Sequence, residues 1–553
     1  MDYLITNKQD EDENVNIKKP ILILALISFL QYLPTLFFGI TYLDDYQFIL
    51  RFHNYNQNIE NLFTSFTRGV FDNKNSIYYR PIFLDSILFN YQLCGENFMG
   101  YHLINILLHV LAVIILYKLL IKLKVKSVQA FILALLFAVH PALAEAVAWI
   151  PGRNDTLLAI FIFSFLIQSI KFNETGKYIH VILSCLFLLV SFYTKETTFF
   201  AIPVGFFIIH IARTEKWKTK NNLLLDFSWI FCFLIWFLSW SFASIKHISL
   251  TPKIIAYQLF HKIPVVIQYI GKIFIPINLS VYPTQKDTVY YLGYLSIFLI
   301  LLIILKSKKK NWNVIFYSIV IFLFFLIPSL LIPNANENSQ YLEHRLYLPF
   351  LGILLLLPQT ILFKNKIKEK QLLSIFGIIA VILSAINFSY QQNFSSPNTF
   401  WTNAVTTSPN SCSANMMLAV HTKNKEKCEP LFQKAFLLNP KQKYLNFCYG
   451  VYLQQKDSIL SSEKYFVEEL KLSNYYQSNF YLARIAIKKN DLNAACDFLN
   501  SYLKNNPHFE IEKNCSLIID TTLLQPKKMP EKISKLKELN NPFIDNILMQ
   551  LGL

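Results

Sequence analysis

The sequence LLFAVHPALAEAVAWIPGRNDTLLAIFIFSFL, residues 135–166, decides the fold class of this chain. Two apolar runs enclose a short polar segment, and Pro141 ends the first run. Apolar runs of about 17–24 residues are long enough to cross a bilayer as helices. The stretch therefore predicts two membrane helices joined by a loop that carries Glu145, Arg153 and Asp155.

The composition of the whole chain also indicates a membrane protein. Of 553 residues, 54% are hydrophobic and 16% are charged, whereas soluble domains are about a quarter charged. These values exclude a disordered chain, a collagen and a small disulfide scaffold. A net charge of +17 would suggest a nucleic-acid partner for a soluble chain, but membrane topology also concentrates lysines. We therefore predict no nucleic-acid partner.

Apolar runs recur along the chain and predict a polytopic, all-α membrane protein with about eleven spans. They lie near residues 20–40, 101–121, 127–143, 155–171, 178–194, 197–212, 222–244, 290–306, 313–333, 346–363 and 371–390. Every second connection is basic, for example at 118–126, 213–220 and 306–310. Short basic connections stay in the cytoplasm, so we predict a cytoplasmic N-terminus and an extracytoplasmic region after about residue 391.

One further apolar segment, KIPVVIQYIGKIFIPINLSV at 262–281, complicates this count. It carries Lys262, Lys272 and two prolines, and counting it as a span would reverse the sidedness of every later connection. We interpret it as an interfacial or partly re-entrant segment within one long outer loop.

The C-terminal region has a different pattern from the rest of the chain. From residue 396 the long apolar runs stop, and Asn439-Pro440, Ser473-Asn474 and Asn506-Pro507 recur about every 34 residues. A period near 34 is typical of tetratricopeptide repeats, and we predict about three degenerate units across 405–507. The alternative is a helical bundle without repeats.

These patterns divide the chain into three predicted parts. A cytoplasmic tail occupies 1–19, a membrane domain 20–395, and an extracytoplasmic repeat domain, including a capping region, 396–553.

Charged and polar residues cluster in the predicted outer connections. The candidate site residues are Asp44, Asp45, Arg80, His102, His140, Glu145, Arg153, Asp155, Lys195, Glu196, Glu343 and Arg345. Charges close to hydrocarbon are costly and tend to be functional. Cations beside carboxylates suit a phosphate-bearing substrate that needs a general base. The alternative is an ion-pair network with a purely structural role.

Several segments, taken in order, resemble one known family. LDDYQF, YYRP followed by YHLINILLH, the stretch at 135–166, SFYTKE and EHRLYLPFLG look like the membrane domain of the transmembrane and tetratricopeptide-repeat O-mannosyltransferases. The resemblance covers about 20–390 by motif and 400–510 by architecture. EHRLYLP departs from the commoner ER-x-LYLP pattern, and the repeats are few. These two departures affect the prediction of the acceptor more than the prediction of the chemistry.

The resemblance implies a GT-C fold and a polyprenyl-phosphate sugar donor, with mannose as the sugar. A Ser or Thr hydroxyl of a protein would displace the lipid phosphate in one inverting step. Either Asp44 or Asp45 is then the general base, with Asp44 preferred. The phosphate would meet the cations Arg80, Arg153, Lys195 and Arg345, while Glu145 and Asp155 would orient their neighbours.

No organic cofactor is implied beyond the lipid-linked donor. Asp45, His140 and Glu145 are of types that could also hold a divalent metal, although we predict no metal site. The short repeat array favours a bacterial inner membrane over an endoplasmic reticulum.

Two other classes of protein remain as alternatives. A transporter or flippase of lipid-linked sugar would explain the spans, although transport sites lie near the bilayer midplane. A membrane-anchored repeat scaffold would need far fewer spans.

Overall fold

The computed structural model describes residues 18–71, 76–212, 220–243, 251–331, 341–364, 367–489 and 491–504. The chain divides into two compact units, Met1–Pro409 and Asn410–Leu553. The described residues of both units are helical and contain no strand, so the all-α prediction is confirmed. The predicted tail at 1–17 and the predicted capping region beyond 504 lie outside the described residues.

The described part of the first unit contains eighteen α-helices. They are α1 Lys18–Tyr32, α2 His53–Gln57, α3 Asn61–Thr64, α4 Pro81–Cys94, α5 Phe98–Lys122, α6 Ser127–Val139, α7 Glu145–Ala148, α8 Arg153–Thr175, α9 Tyr178–Thr194, α10 Ala201–Ala212, α11 Lys220–Phe242, α12 Pro252–Phe274, α13 Tyr291–Leu305, α14 Trp312–Leu331, α15 Phe350–Leu356, α16 Ile361–Lys364, α17 Glu369–Gln391 and α18 Pro397–Thr407. Short 3₁₀ turns and a π-helix, Tyr46–Arg51, join some of them.

Six helical segments of the described chain are long and apolar enough to cross a bilayer, judged by length and composition. They are Lys18–Phe37, Phe98–Lys122, Ile150–Thr175, Leu223–Phe242, Trp312–Leu331 and Glu369–Phe394. A bent pair, Ser127–Val139 with Pro141–Ala148, passes the same test as one unit. Four shorter apolar helices are Tyr178–Thr194, Glu196–Ile209, Tyr291–Leu305 and Phe350–Gln359. An apolar helix thus lies at every predicted span, while the count of eleven stays a prediction.

The segment 262–281, interpreted from the sequence as interfacial, begins inside α12. This helix is not among the candidate spans of the described residues, and Lys262 and Lys272 on it are buried against protein. Tyr269 on the same helix donates a hydrogen bond from its hydroxyl to the carbonyl oxygen of Leu342 at 3.1 Å. One face of α12 therefore packs against the chain around residue 342.

A bend of 58° separates α6 from the following short helices. Pro141 has no N–H to continue the helix, and His140 caps the break by accepting a hydrogen bond from the Ala142 N–H at 3.2 Å. The chain then folds tightly against itself, since a Cβ on Gly152 would lie 2.6 Å from the carbonyl oxygen of Glu145. Only glycine fits this approach, and it places the start of α8 beside α7.

The boundary between the units falls after Pro409, not at 395 as the sequence predicts. The reason is α18, which belongs to the membrane unit although its sequence is not that of a span. Trp401 on α18 is 1% exposed, and its indole Nε1 donates to the carbonyl oxygen of Thr41 at 3.1 Å. Just before α18, the carbonyl oxygen of Ser395 accepts from the Gly39 N–H at 3.0 Å.

Two truncations should therefore differ sharply in the amount of folded membrane unit. We expect a chain ending at 409 to remain monodisperse in detergent, whereas a chain ending at 395 should aggregate or melt much earlier. Loss of a buried Trp or Phe costs about 3–5 kcal/mol, and the shorter chain loses both Trp401 and Phe400. Size-exclusion chromatography with a thermal ramp measures this. Equal melting temperatures for the two chains would contradict the placement of α18.

The second unit, within its described residues, consists of three helix pairs. They are α19 Cys412–His421 with α20 Lys425–Leu438, α21 Leu445–Gln455 with α22 Ile459–Ser473, and α23 Gln477–Lys488 with α24 Leu492–Lys504. Gly450 lets α21 and α22 approach, because a Cβ there would lie 2.8 Å from the ring of Phe466. The pairs begin 33 and then 32 residues apart. This spacing agrees with the predicted period, and the assignment to tetratricopeptide repeats stays a prediction.

Candidate active site

A cavity with about 860 Å³ of space between protein atoms, part of it open to the surroundings, lies in the membrane unit. One part of its wall is charged: Asp44, Arg80, Asp155, Lys195, Glu196 and Arg345. Another part is aromatic: Phe48, Phe71, Tyr78, Phe83 and Trp149. Ligand sites commonly combine an apolar wall with a few placed polar groups.

The charged wall is assembled from segments far apart in the chain. Asp44 lies between α1 and α4, Arg80 directly before α4, Asp155 in the first turn of α8, and Lys195 at the end of α9. Arg345 comes from the 3₁₀ turn after α14. Six of the twelve predicted site residues meet at this cavity. The sequence therefore identified the loops, and the structure brings them together.

The two adjacent aspartates have different surroundings. Asp45 is 1% exposed, and its carboxylate accepts from the Thr41 N–H at 2.6 Å, the Thr41 hydroxyl at 2.9 Å, the Tyr46 N–H at 2.9 Å and the Leu43 N–H at 3.1 Å. Asp44 is only partly buried and lines the cavity. Asp45 therefore holds the loop, and Asp44 faces the cavity.

The environment of Asp44 suits a general base. Burial and, to a smaller extent, the Asp45 carboxylate raise the pKa of Asp44 to about 6, against the opposing effect of the Arg80 guanidinium. A base with a pKa close to the working pH is ionised and still able to hold a proton.

Arg80 is held at the cavity by a bidentate ion pair with Glu196. Arg80 Nε donates to Glu196 Oε2 at 2.9 Å, and Nη2 donates to Glu196 Oε1. The amide of Asn154, turned so that its oxygen faces the guanidinium, accepts from Arg80 Nη1 at 2.8 Å. The side chains of Arg80 and Glu196 are 16% and 34% exposed, so the pair is reachable from the cavity.

A second ion pair lies along the same wall. Lys195 Nζ donates to Asp155 Oδ1 at 2.6 Å, and the other Asp155 oxygen is 4.0 Å from His344 Nε2. Burial lowers the pKa of His344 to about 3, so this imidazole is neutral near pH 7. Asp155 therefore contacts Lys195 at the cavity, and its role of orienting this neighbour stays a prediction.

The turn that carries Arg345 is fixed by two buried carboxylates. Glu145 Oε2 accepts from the His344 N–H at 2.8 Å. Glu343 Oε1 accepts from Lys272 Nζ at 2.5 Å and from the Ser280 N–H at 2.9 Å. Glu145 and Glu343 do not line the cavity. Their contacts lie behind Arg345 and not at the cavity. The role of Glu145 in orienting its neighbours stays a prediction, and the predicted substrate contact of Glu343 does not fit its placement.

Arg153, predicted to contact phosphate, lies elsewhere. It is 0% exposed, and Nε donates to Asn105 Oδ1 at 2.8 Å while Nη2 donates to Asn90 Oδ1 at 2.9 Å. Its remaining hydrogen bonds go to the carbonyl oxygens of Ser86 and Tyr101. The guanidinium thus joins α4, α5 and α8, and its placement does not fit the predicted phosphate contact.

The predicted histidines also bind protein groups away from the cavity. His102 Nε2 is 3.3 Å from the carbonyl oxygen of Gly39, and His140 Nε2 is 2.9 Å from that of Ile273. His109, on the same helix as His102, is buried between Tyr347 and Ala138. No group of three or more His, Cys, Asp or Glu residues able to hold a metal occurs in the described part of the chain.

Sequence reasoning missed several cavity residues, namely Tyr78, Trp149, Asn154, Thr197 and His344. A signal was available for most of them, because each stands within a few residues of a predicted site residue in one of the quoted motifs. Phe48 and Phe83 also stand close to Asp44 and Arg80 in the sequence, but aromatic side chains are common throughout a membrane chain, so this position did not distinguish them. Phe71 stands in no quoted motif.

The fold and the cavity define a helical, multi-pass membrane protein with a charged site between its loops. Relatives are named protein O-mannosyl-transferases. F38B6.6 of Caenorhabditis elegans is 34% identical over 143 residues, which cover 24% of this chain and 19% of that protein. TMTC1 of Homo sapiens is 35% identical over 173 residues, covering 28% and 19%, and human TMTC3 is 32% identical over 152 residues, covering 27% and 16%. These relatives confirm the resemblance seen in the motifs.

The similarity is partial. This chain matches only about a fifth of the length of these relatives, and no family model matches it. Among solved structures, the crystal structure of the Archaeoglobus fulgidus oligosaccharyltransferase tethered to an acceptor peptide is similar with a TM-score of 0.41 and 13% identity, covering 77% of this chain and 59% of that one.

Proposed function

We propose that this protein is a membrane glycosyltransferase of GT-C type. In this proposal it moves a sugar from a polyprenyl-phosphate donor to a hydroxyl group, that of a Ser or Thr in a protein. The observation that carries the proposal is Asp44, a reachable carboxylate with a raised pKa, in one cavity with the cations Arg80, Lys195 and Arg345. The names of the relatives support mannose as the sugar and a protein as the acceptor.

The chemistry is a single displacement at the anomeric carbon. The acceptor oxygen forms a bond to that carbon while the bond from the carbon to the phosphate oxygen breaks. Asp44 takes the proton of the acceptor hydroxyl, and the lipid monophosphate leaves with both electrons of the broken bond. Negative charge grows on the phosphate in this step, and Arg80, Lys195 and Arg345 stabilise it. Attack opposite the leaving group inverts the configuration of the sugar.

The proposed side of the membrane and the proposed role of the second unit follow from the sequence. Positive-inside loops put Asp44 and the other cavity residues on the extracytoplasmic face, and the helix pairs after Asn410 are proposed to hold acceptor proteins. The reported relatives are animal proteins, while the predicted bacterial inner membrane rests on the short repeat array alone. No cofactor or metal is part of the proposal.

The direct test is a transfer assay with the full chain in nanodiscs. Polyprenyl-phosphate carrying radiolabelled mannose is supplied with Ser- and Thr-containing peptides, and label in the peptide is counted. We expect label in the peptide, with the sugar joined to the Ser or Thr oxygen as the anomer opposite to that of the donor, read by NMR of the intact glycopeptide. Label that crosses the bilayer of a sealed vesicle while still attached to lipid would favour a flippase instead.

The ionisation of Asp44 predicts how transfer depends on pH. The base is active when deprotonated, and the pKa of Asp44 is raised to about 6 by burial and then by Asp45. We therefore expect kcat/KM to fall about tenfold per pH unit below about pH 6 and to level off above about pH 7. Residual transfer by Asp44→Asn should lack this fall. A flat profile between about pH 5 and about pH 8 in the wild type would contradict the role of Asp44.

A further inference from the structure

Tyr78 and Tyr79 are neighbours in the YYRP segment, yet their hydroxyl groups have different surroundings. Tyr79 is 3% exposed, and its hydroxyl donates to the carbonyl oxygen of Phe66 at 2.9 Å. Tyr78 lines the cavity, and its backbone carbonyl accepts from the Val70 N–H at 2.9 Å and from the Ser76 hydroxyl at 3.4 Å. The Tyr78 hydroxyl makes no hydrogen bond with the residues that the structure describes. It is therefore available to a ligand.

The ring of Tyr78 is held in place from two sides. The Arg80 guanidinium carbon lies 4.4 Å from the centre of the ring, a cation–π contact, and the ring of Phe71 lies edge-on at 6.4 Å. Both Arg80 and Phe71 belong to the cavity wall. A fixed ring costs little ordering entropy when its hydroxyl binds a ligand.

The charges around the Tyr78 hydroxyl are those of the proposed active site. Burial raises the pKa of Tyr78. The positive charges of Arg80 and Arg345 act against this rise, and the negative charges of Glu196 and Asp44 add to it. The phenol therefore keeps its proton near neutral pH and is a hydrogen-bond donor. The Arg80 guanidinium lies against the Tyr78 ring, and Arg345 lines the same cavity. Guanidinium groups suit phosphate.

Resting on the proposed function, we propose that Tyr78 is a substrate-binding residue whose hydroxyl donates a hydrogen bond to a phosphate oxygen of the lipid-linked donor. Tyr78 forms and breaks no covalent bond and keeps its proton throughout. Charge grows on the same oxygen as the lipid phosphate leaves, so the hydrogen bond strengthens in the transition state. Tyr78 thus contributes to donor binding and, more strongly, to turnover.

The matched pair of variants Tyr78→Phe and Tyr79→Phe tests this inference, since each removes one hydroxyl from adjacent rings. Binding of polyprenyl phosphate without sugar is measured with the full chain in nanodiscs, beside the transfer assay and a melting curve. A hydrogen bond to a charged group is stronger than one between neutral groups. We therefore expect Tyr78→Phe to bind polyprenyl phosphate about 10-fold more weakly and to transfer sugar about 100-fold more slowly, with an unchanged melting temperature.

Tyr79→Phe should lower the melting temperature and leave binding and transfer within about twofold. Normal binding and transfer in Tyr78→Phe would overturn the inference while leaving the proposed function in place. If the wild-type protein transfers no sugar, weaker binding of polyprenyl phosphate by Tyr78→Phe would still support the phosphate contact. The missing transfer would contradict the proposed glycosyltransferase. Equal losses in both variants would overturn the inference, because they would reflect disturbance of the whole segment.

Discussion

Asp44→Asn is expected to lower kcat for sugar transfer by roughly 10²–10⁴. Asn has the size of Asp but cannot take the proton of the acceptor hydroxyl. Donor affinity should stay the same or rise slightly, because the substitution removes a negative charge close to the phosphate. The measurement is kcat from the transfer assay beside the Kd for polyprenyl phosphate. A loss confined to kcat is the signature of a group that acts in the transition state.

Asp45→Asn is the matched control, one residue along the chain. Asp45 accepts four hydrogen bonds within its loop, and an Asn amide would turn a donor toward one pair of these N–H and O–H groups. We expect a lower melting temperature and a smaller loss of kcat than at Asp44. A larger loss of kcat at Asp45 with unchanged melting would exchange the roles of the two residues. Near-normal transfer in the double variant would contradict the glycosyltransferase itself.

Arg80→Ala is expected to weaken donor binding and slow transfer, by a combined factor of about 10² or more. Removal of a charged hydrogen-bonding partner from a buried site costs about 2–5 kcal/mol. Glu196→Gln should act in the opposite direction on binding, since Glu196 competes with phosphate for the Arg80 guanidinium. We expect Glu196→Gln to bind polyprenyl phosphate as tightly as the wild type or up to about tenfold more tightly. Different effects of Arg80→Ala and Glu196→Gln on donor binding would distinguish a phosphate site from a structural ion pair.

A suitable control is the exposed ion pair between Lys122 and Glu174, whose side chains are 36% and 40% exposed. Exposed pairs contribute about 0–1 kcal/mol, so Lys122→Ala should change neither binding nor transfer. The phosphate site would be contradicted if Glu196→Gln reduced binding as much as Arg80→Ala and both lowered the melting temperature equally. Arg80 and Glu196 would then form the structural network that the sequence leaves as an alternative.

The loops that build the cavity could be predicted from the sequence because membrane topology restricts where polar residues can lie. Asp44, Lys195 and Arg345 each stand at the end of an apolar run on the same predicted side. Charged groups at one boundary of a helical bundle are therefore brought close together. The preference for Asp44 over Asp45 remains a prediction, now supported by their different burial.

The direction of each side chain could not be predicted from position in a motif. Arg153 and Asp155 are two residues apart on α8, so they point roughly 200° apart around the helix. Asp155 faces the cavity and Arg153 faces Asn105 in the core. Periodicity would place them on opposite sides, but it does not indicate which side meets the cavity. That depends on how α4 and α5 pack against α8.

The boundary of the membrane unit was missed for a related reason. The helix α18 lacks the apolar length of a span, and its composition resembles that of the tail. What ties it to the membrane unit is a long-range contact, that of Trp401 with Thr41. A contact between residues so far apart leaves no periodic signal in either segment.

The central claim is that the cavity at Asp44 binds the phosphate and sugar of a lipid-linked donor. A cryo-electron microscopy structure of the full chain in nanodiscs, with a phosphonate analogue of polyprenyl-phosphate mannose, tests it most directly. The account predicts phosphonate oxygens within about 3.5 Å of Arg80 and Arg345, and the anomeric carbon between the phosphonate and Asp44. A phosphonate bound away from these residues, or a sugar that does not lie beside Asp44, would contradict it.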